Sequence, residues 1–562
     1  MEEESVRRSN GVCELVSTVV AYAKKAAAEL RRDLLILLLL GVLLVVRIIY
    51  ILSYPFFIEG DGYTYYHLIL EYQAHLLHAT GYVFFALAPR FLAVRIGVDP
   101  AKLLLYMQQA FTIASLLTLY LALKRVLPRW ISFLTCLFLG LDTQLIVATG
   151  TTRPEFFQAD LMMLLMSSAV FALTSSTGRV KTTFYFAAGI LLTAGYITKY
   201  NFLPAIIFCL VPMFDSELNW RGSLRMVAVS GIGATLLLLI FVASFHYPTT
   251  GSLSLNLEHG WVYFMKLQEA AIPLLPANGI ATQKYIVLSD QLPPMGAGPG
   301  PWRKIDEVPD EIRAPFRREW APLIRSNDAG YVRAVFDRLE VSAHPEKSYQ
   351  SAVALYPIYY HLGLKEGEKL LGDVFWEAVR AYPRQYLTHV WTSLRSGANY
   401  STQYMPYLPV PGVYEPVSFF KFSKFPLRPF RTRVFEAVDW SLMRPEDLAA
   451  QIWYPGAKFF SRLAFFKQIP SASIWIMNFV GLAVLPFLVS RRRHFRNAGL
   501  LLVLATIVLL GELSLSAVVF VFRMKELILC QPLIYVTAGI SMAICVEFIM
   551  SFLPSARRFP VV

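Results

Sequence analysis

The chain has 562 residues, of which 56% are hydrophobic, 14% aromatic and 16% charged, and it carries a formal net charge of +13. A charged share so far below the roughly 25% usual in soluble domains excludes an ordinary soluble globular protein and marks a polytopic membrane protein. The positive charge sits in short clusters beside apolar runs, as membrane topology signals do, and no fold or motif for nucleic-acid binding accompanies it, so nucleic acid is excluded as a partner.

Residues 1–32 contain the amphipathic stretch CELVSTVVAYAKKAAAELRR, read as a cytoplasmic surface helix ahead of an uncleaved first span. A hydrocarbon core takes about 20 helical residues to cross. Runs of that kind occur near 33–53, 103–123, 130–150, 157–175, 225–245, 471–490, 497–520 and 527–551, and two shorter ones, 183–198 and 202–214, flank Lys199. Counting all of them gives ten spans. With a cytoplasmic N-terminus, the clusters Arg31-Arg32, Lys124-Arg125, Arg179 with Lys181, Arg221 with Arg225, Arg491-Arg492-Arg493 with Arg496, and Arg557-Arg558 all fall on one side, as the positive-inside rule requires. The apolar stretch GYVFFALAPRFLAVRIGV (81–98), broken by Pro89, Arg90 and Arg95, is then expected in the outer interface and not as a span.

Four regions follow: the segment 1–32, an N-terminal bundle over 33–245 with a first outer loop at 54–102, an outer and mostly helical domain over 246–470, and closing spans over 471–562. Within the outer domain, LLGDVFWEAVRAYPRQYLTHVWTSL (370–394) puts Val374, Ala378, Tyr382 and Leu387 near one face, with Pro383 dividing it into two helices. The five cysteines imply no disulfide framework, and none lies in 246–470.

Chemistry concentrates on the outer side. The first loop holds FFIEGDGYTYYH, in which Glu59 and Asp61 stand at i and i+2 beside two glycines. Such a pair can converge on one proton, one hydroxyl or one divalent metal ion, although Asp-Gly is also ordinary turn chemistry. Tyr63, Tyr65, Tyr66 and His67 supply ring faces and hydroxyls for a sugar or a polar lipid head. A second outer turn, TTRPEFFQADLMM, carries Arg153 and Glu155, with Asp160 about one and a half helical turns further on. Because a charge inside a bilayer costs about 2.5 to 3.5 kcal/mol on insertion scales, Asp160, Asp142 and Glu512 are expected to face the bundle or a wet cavity. Lys199, Arg523 and Lys525 stand at outer ends of spans, where a phosphate would find charge-assisted partners; snorkelling to headgroups is the plainer alternative. No GxGxxG, HExxH or Ser-His-Asp pattern is present.

These parts, in this order, resemble the GT-C superfamily of integral-membrane glycosyltransferases, which use polyprenyl-phosphate-linked sugars. GDGYTYYHLILEYQAHLLHATGYVFFAL is similar to the first-loop acid and HPTGYPLY-like stretch of protein O-mannosyltransferase relatives, with Ala79 and Val83 in place of its prolines after His78 and Tyr82. Thr152-Arg153-Pro154-Glu155 resembles the RPE turn of arabinosyltransferase-like members, AGYITKYNFLP a Thr-Lys-containing span, and FRMKELILCQPLIYVTAG the closing pattern, with Lys525-Glu526 departing from Tyr-Leu. No WWDYG-like motif of oligosaccharyltransferases occurs.

The resemblance implies an all-α GT-C-type bundle of about ten transmembrane helices that transfers a single sugar with inversion. Asp61 would be the general base, with Glu59 or Glu155 tuning it or binding acceptor hydroxyls. Lys199, Arg523 and Lys525 would hold the donor phosphate, and Arg153, Glu155, Tyr63, His67, His78 and Asp160 would line the acceptor or sugar. The partners would be a polyprenyl-phosphate-linked donor, a lipid, glycan or protein acceptor, and membrane lipids. The site would face the periplasm of a bacterial inner membrane. A transporter or flippase would also bury acids in a bundle, but predicts two similar halves where this chain is lopsided; a non-catalytic scaffold of a glycan-assembly complex is the third reading.

Overall fold

A computed structural model describes residues 33–53, 69, 81–98, 100–150, 154–250, 253, 255, 259–270, 272–290, 350–403, 459, 471–491, 495–518 and 528–552. Among the described residues the structure is helical with no strand. In chain order the helices are α1 (Leu34–Ser53), α2 (Gly81–Ile96), α3 (Pro100–Leu123), α4 (Arg129–Gly140), α5 (Thr143–Ala148), α6 (Pro154–Thr174) and α7 (Gly178–Thr198). A 3₁₀ helix (Tyr200–Phe214) follows, then α8 (Trp220–Phe241), a π turn (Val242–His246) and the short α9 (Tyr247–Thr250). Next come α10 (His259–Glu269), α11 (Ile280–Asp290), α12 (Gln350–Ala381), α13 (Pro383–Gln403), α14 (Ser471–Arg491), α15 (Phe495–Val518) and α16 (Cys530–Met550).

Seven of these elements are long and apolar enough to cross a membrane, and Arg129–Gly140, Tyr200–Phe214 and Ser473–Val489 are shorter apolar helices. Together they overlie the runs read from the sequence, except that the run 130–150 is divided at Leu141 and Asp142 into α4 and α5, so α4 covers only its first half. The protein is an all-α polytopic membrane protein. Run 183–198 proves to be the end of a full-length helix, α7, which starts at Gly178. The run 202–214 winds as a 3₁₀ helix in which Pro204 and Pro212 each withhold an N–H donor.

Side-chain pairs fix which helix ends lie together. At one end, Asp33 accepts hydrogen bonds from the Tyr120 hydroxyl at 2.9 Å and from Lys124 at 3.4 Å, and Arg125 donates to Thr174 at 3.4 Å. There, too, the buried Lys181 pairs with Asp215 at 2.6 Å and Glu217 at 2.8 Å. At the opposite end, Arg47 meets Thr149 and Glu155 meets Lys199. The spans joined by these contacts therefore alternate in direction, with Lys124, Arg125 and Lys181 at the first end and the residues that flank the 54–80 segment at the second, hereafter the loop end.

α6 is buried on nearly every side, which makes it the central helix; an all-round apolar helix belongs in the middle of a bundle. Its few polar side chains must consequently face protein. α7 and α8 cross closely, tied by Ser230 Oγ donating to the Tyr185 carbonyl at 2.8 Å and Thr193 Oγ1 donating to the Ala234 carbonyl at 3.2 Å. α2 packs on α3 and α7. It buries Tyr82, Val83, Ala86, Leu87 and Ala93 and exposes Phe91, Leu92, Val94 and Ile96.

α10 to α13 build a second core from Phe264, Leu267, Tyr285, Leu371, Val374, Phe375, Ala378, Tyr386 and Val390, joined by Ala517 of α15. Glu377 of α12 caps the start of α11, accepting from the Ala281 N–H at 3.0 Å and the Thr282 N–H at 2.8 Å. Burial pushes the Glu377 carboxyl up, but the hydrogen bonds from Thr282 and Ala281 outweigh it and hold the group below the usual range. Pro383 divides the 370–394 segment as expected. Leu387 does not share the face of Val374 and Ala378: it is 64% exposed, because the break at Pro383 resets the helical phase and Tyr386 and Val390 turn inward instead.

Candidate functional site at the loop end of the bundle

α6 opens with Pro154, whose missing N–H costs nothing at a first helical position. Glu155 in its first turn suits the positive end of the helix dipole. Its carboxylate is buried and pairs with Lys199 Nζ at 2.9 Å. Lys199 lies where α7 ends, in extended backbone with φ −170° and ψ 137°, so its side chain leaves the helix and turns towards α6. Gln158, one turn below Glu155, holds the break open by donating from Nε2 to the Lys199 carbonyl at 2.9 Å and to Asn201 Oδ1 at 2.9 Å.

Deeper in the bundle, Arg47 of α1 is 2% exposed. Its Nη1 donates to Gln109 Oε1 at 3.0 Å and Thr149 Oγ1 at 2.7 Å, while Nε and Nη2 have no hydrogen-bond partner. Asp160 is fully buried and accepts from Thr112 Oγ1 at 2.8 Å. Gln109 and Thr112 lie at i and i+3 on α3, so one face of that helix carries both partners. Asp142 accepts from the Leu145 N–H at 3.2 Å, capping α5, and from the Tyr535 hydroxyl at 2.8 Å. Glu512 is also buried, on α15.

Both ends of the 54–80 segment are pinned around this cluster. Before it, Tyr50 packs on Gly150 so closely that a Cβ there would meet the phenol oxygen. After it, Gly81 lies against the Ile197 backbone, where a Cβ would find no room. Tyr82 stacks edge-on against Phe156 at 5.8 Å, and its hydroxyl accepts from Gln108 Nε2 at 3.0 Å. Between the two anchors, Ile69 is buried in the bundle core.

Of the residues named from the sequence, the structure brings Glu155 and Lys199 into contact and sets Asp160 in the same helix below them. Glu59, Asp61, Tyr63, His67, His78, Arg153, Arg523 and Lys525 lie outside the described residues. Among the described residues, no group of three or more His, Cys, Asp or Glu side chains converges as metal ligands would. Sequence reading missed Arg47 and Gln158, although a lone arginine in LLILLLLGVLLVVRIIYILS and a glutamine one turn from Glu155 were available as signals.

No family model and no curated relative matches the chain. Among solved structures it is similar to the archaeal oligosaccharyltransferase AglB from Archaeoglobus fulgidus, in complex with an inhibitory peptide and a dolichol-phosphate. That likeness has a TM-score of 0.39 and 9% identity, covering 92% of this chain and 51% of the other. The chain thus spans about half the length of that protein. It is also similar to ArnT from Cupriavidus metallidurans bound to undecaprenyl phosphate, with a TM-score of 0.30 and 12% identity, covering 92% of this chain and 78% of the other.

Proposed function

We propose that the chain is an inverting membrane glycosyltransferase of GT-C type. It moves a single sugar from a polyprenyl-phosphate-linked donor to a hydroxyl of a glycolipid, a polysaccharide or a protein, on the periplasmic side of a bacterial inner membrane. What supports this reading most is the anchoring of both ends of the segment that carries Glu59 and Asp61 around the Glu155–Lys199 pair. Transfer from a lipid phosphate needs a base on one side of the anomeric carbon and a cation beside the departing phosphate on the other. It needs both at the depth where the lipid phosphate sits.

In this reaction the acceptor oxygen attacks the anomeric carbon as Asp61 takes its proton. The bond from that carbon to the phosphate oxygen breaks on the opposite face, and the electron pair leaves with the polyprenyl phosphate. Lys199, with Arg523 and Lys525, stabilises the charge that develops on the phosphate, an effect strengthened where water is excluded. Glu155 fixes the direction of the Lys199 ammonium, and Gln158 fixes the backbone that carries it. Glu59 tunes Asp61. Arg153, Tyr63, His67 and His78 supply hydrogen-bonding groups to the sugar or the acceptor.

Lys199→Gln is expected to lower kcat/KM on a synthetic polyprenyl-phosphate sugar by about 10²-fold, the usual cost of removing one preorganised electrostatic group. Because that change removes the Lys199 ammonium from the buried Glu155 carboxylate, the double variant Lys199→Gln/Glu155→Gln should be more stable than the single one but no more active. A double variant that turns over donor like wild type would remove Lys199 from the donor site.

A further inference from the structure

The α13 helix has two unlike faces. Tyr386, Val390 and Ser393 are buried, and the Tyr386 hydroxyl donates to the Val518 carbonyl at 2.5 Å, at the loop end of the spanning helix α15. The other face presents Leu387 and Trp391, 64% and 69% exposed, one turn apart on the same stripe. Arg384 and Arg395, both exposed, flank them on that stripe. α13 packs on α14 and α15, whose outward surfaces carry the exposed Ile476, Phe479 and Val480 and the exposed Leu510 and Val518.

α13 thus lies against two apolar helices of the bundle whose outward sides are exposed, and it meets α15 at that helix's last residue, the level where the span ends. A tryptophan and a leucine side by side, with an arginine one turn away at either end, match what a helix lying in a membrane interface presents: the ring and the leucine reach below the headgroups, and the guanidinium groups reach back to the phosphates. We propose that α13 is an interfacial helix seated by Leu387 and Trp391 in the phospholipid headgroup layer at the loop end, with Arg384 and Arg395 on lipid phosphates. Since Tyr386 and Val390 belong to the core that α10, α11 and α12 share, α13 is also the mount that sets the height of this helical unit over the bilayer. This inference stands independently of the glycosyl-transfer reading.

The test uses the full chain labelled with 5-fluorotryptophan in nanodiscs of phosphatidylcholine and phosphatidylglycerol. The Trp391 resonance is assigned by its loss in Trp391→Phe, a change on an exposed ring that spares the core. A headgroup-nitroxide phospholipid is expected to broaden that resonance several-fold more than a soluble gadolinium chelate does. Stronger broadening by the soluble chelate would put the ring in water and overturn the proposal. Broadening by neither would mean that protein covers the face, such as a second copy of the chain, and would overturn it equally.

Discussion

Asp61→Asn is expected to cut sugar transfer by about 10²- to 10⁴-fold, the contribution usual for a positioned general base, in protein that folds as the wild type does. The substitution keeps size and polarity but cannot accept the acceptor's proton, so donor affinity should change little while kcat falls. The pH dependence gives an independent sign. Wild-type kcat/KM should drop as acid protonates the carboxylate, whereas the residual activity of the variant should lose that acidic limb. Glu59→Gln, which alters only the neighbour, should shift the limb and leave most of the rate. Full turnover by folded Asp61→Asn would end the base assignment.

The largest stability effect is expected at Arg47 and Asp160. Both are buried in the bundle interior, Arg47 bonded to Gln109 and Thr149 and Asp160 bonded to Thr112. If the two groups compensate one another's charge, removing either alone costs about 3 to 5 kcal/mol, whereas replacing both with apolar groups is often nearly neutral. Arg47→Met and Asp160→Leu alone should each unfold far more easily in detergent titrations. The double variant should regain most of the loss, giving a coupling energy well above the few tenths of a kcal/mol found for independent sites. Strict additivity of the two single changes would show that the charges do not sense one another. Transfer activity should not return with stability in the double variant if Asp160 also holds sugar.

The membrane architecture was legible because the bilayer dictates it. Hydropathy located the spans, and the basic clusters gave their alternation, which the Lys124–Asp33 and Lys181–Asp215 contacts then displayed in three dimensions. Asp160 was expected to face protein on cost alone, and its burial in the central helix accords with that. Pairing was not legible. Nothing local tells Glu155 that its partner is Lys199, a residue on the next helix that reaches it only because the α7 backbone turns extended there. Arg47 escaped attention for a related reason: a strongly apolar run conceals how much one buried guanidinium matters until Gln109 and Thr149 are seen around it. Leu387 was misplaced because a helical phase cannot be carried through a proline break.

The most direct test of the central claim is sugar transfer by the purified wild-type chain, offered a panel of synthetic polyprenyl-phosphate sugars with membrane extract as acceptor, and with the anomeric configuration of the product read by NMR. Transfer from at least one donor with inverted configuration is the predicted result. A folded protein that turns over none of the donors, or one that retains configuration, would contradict it.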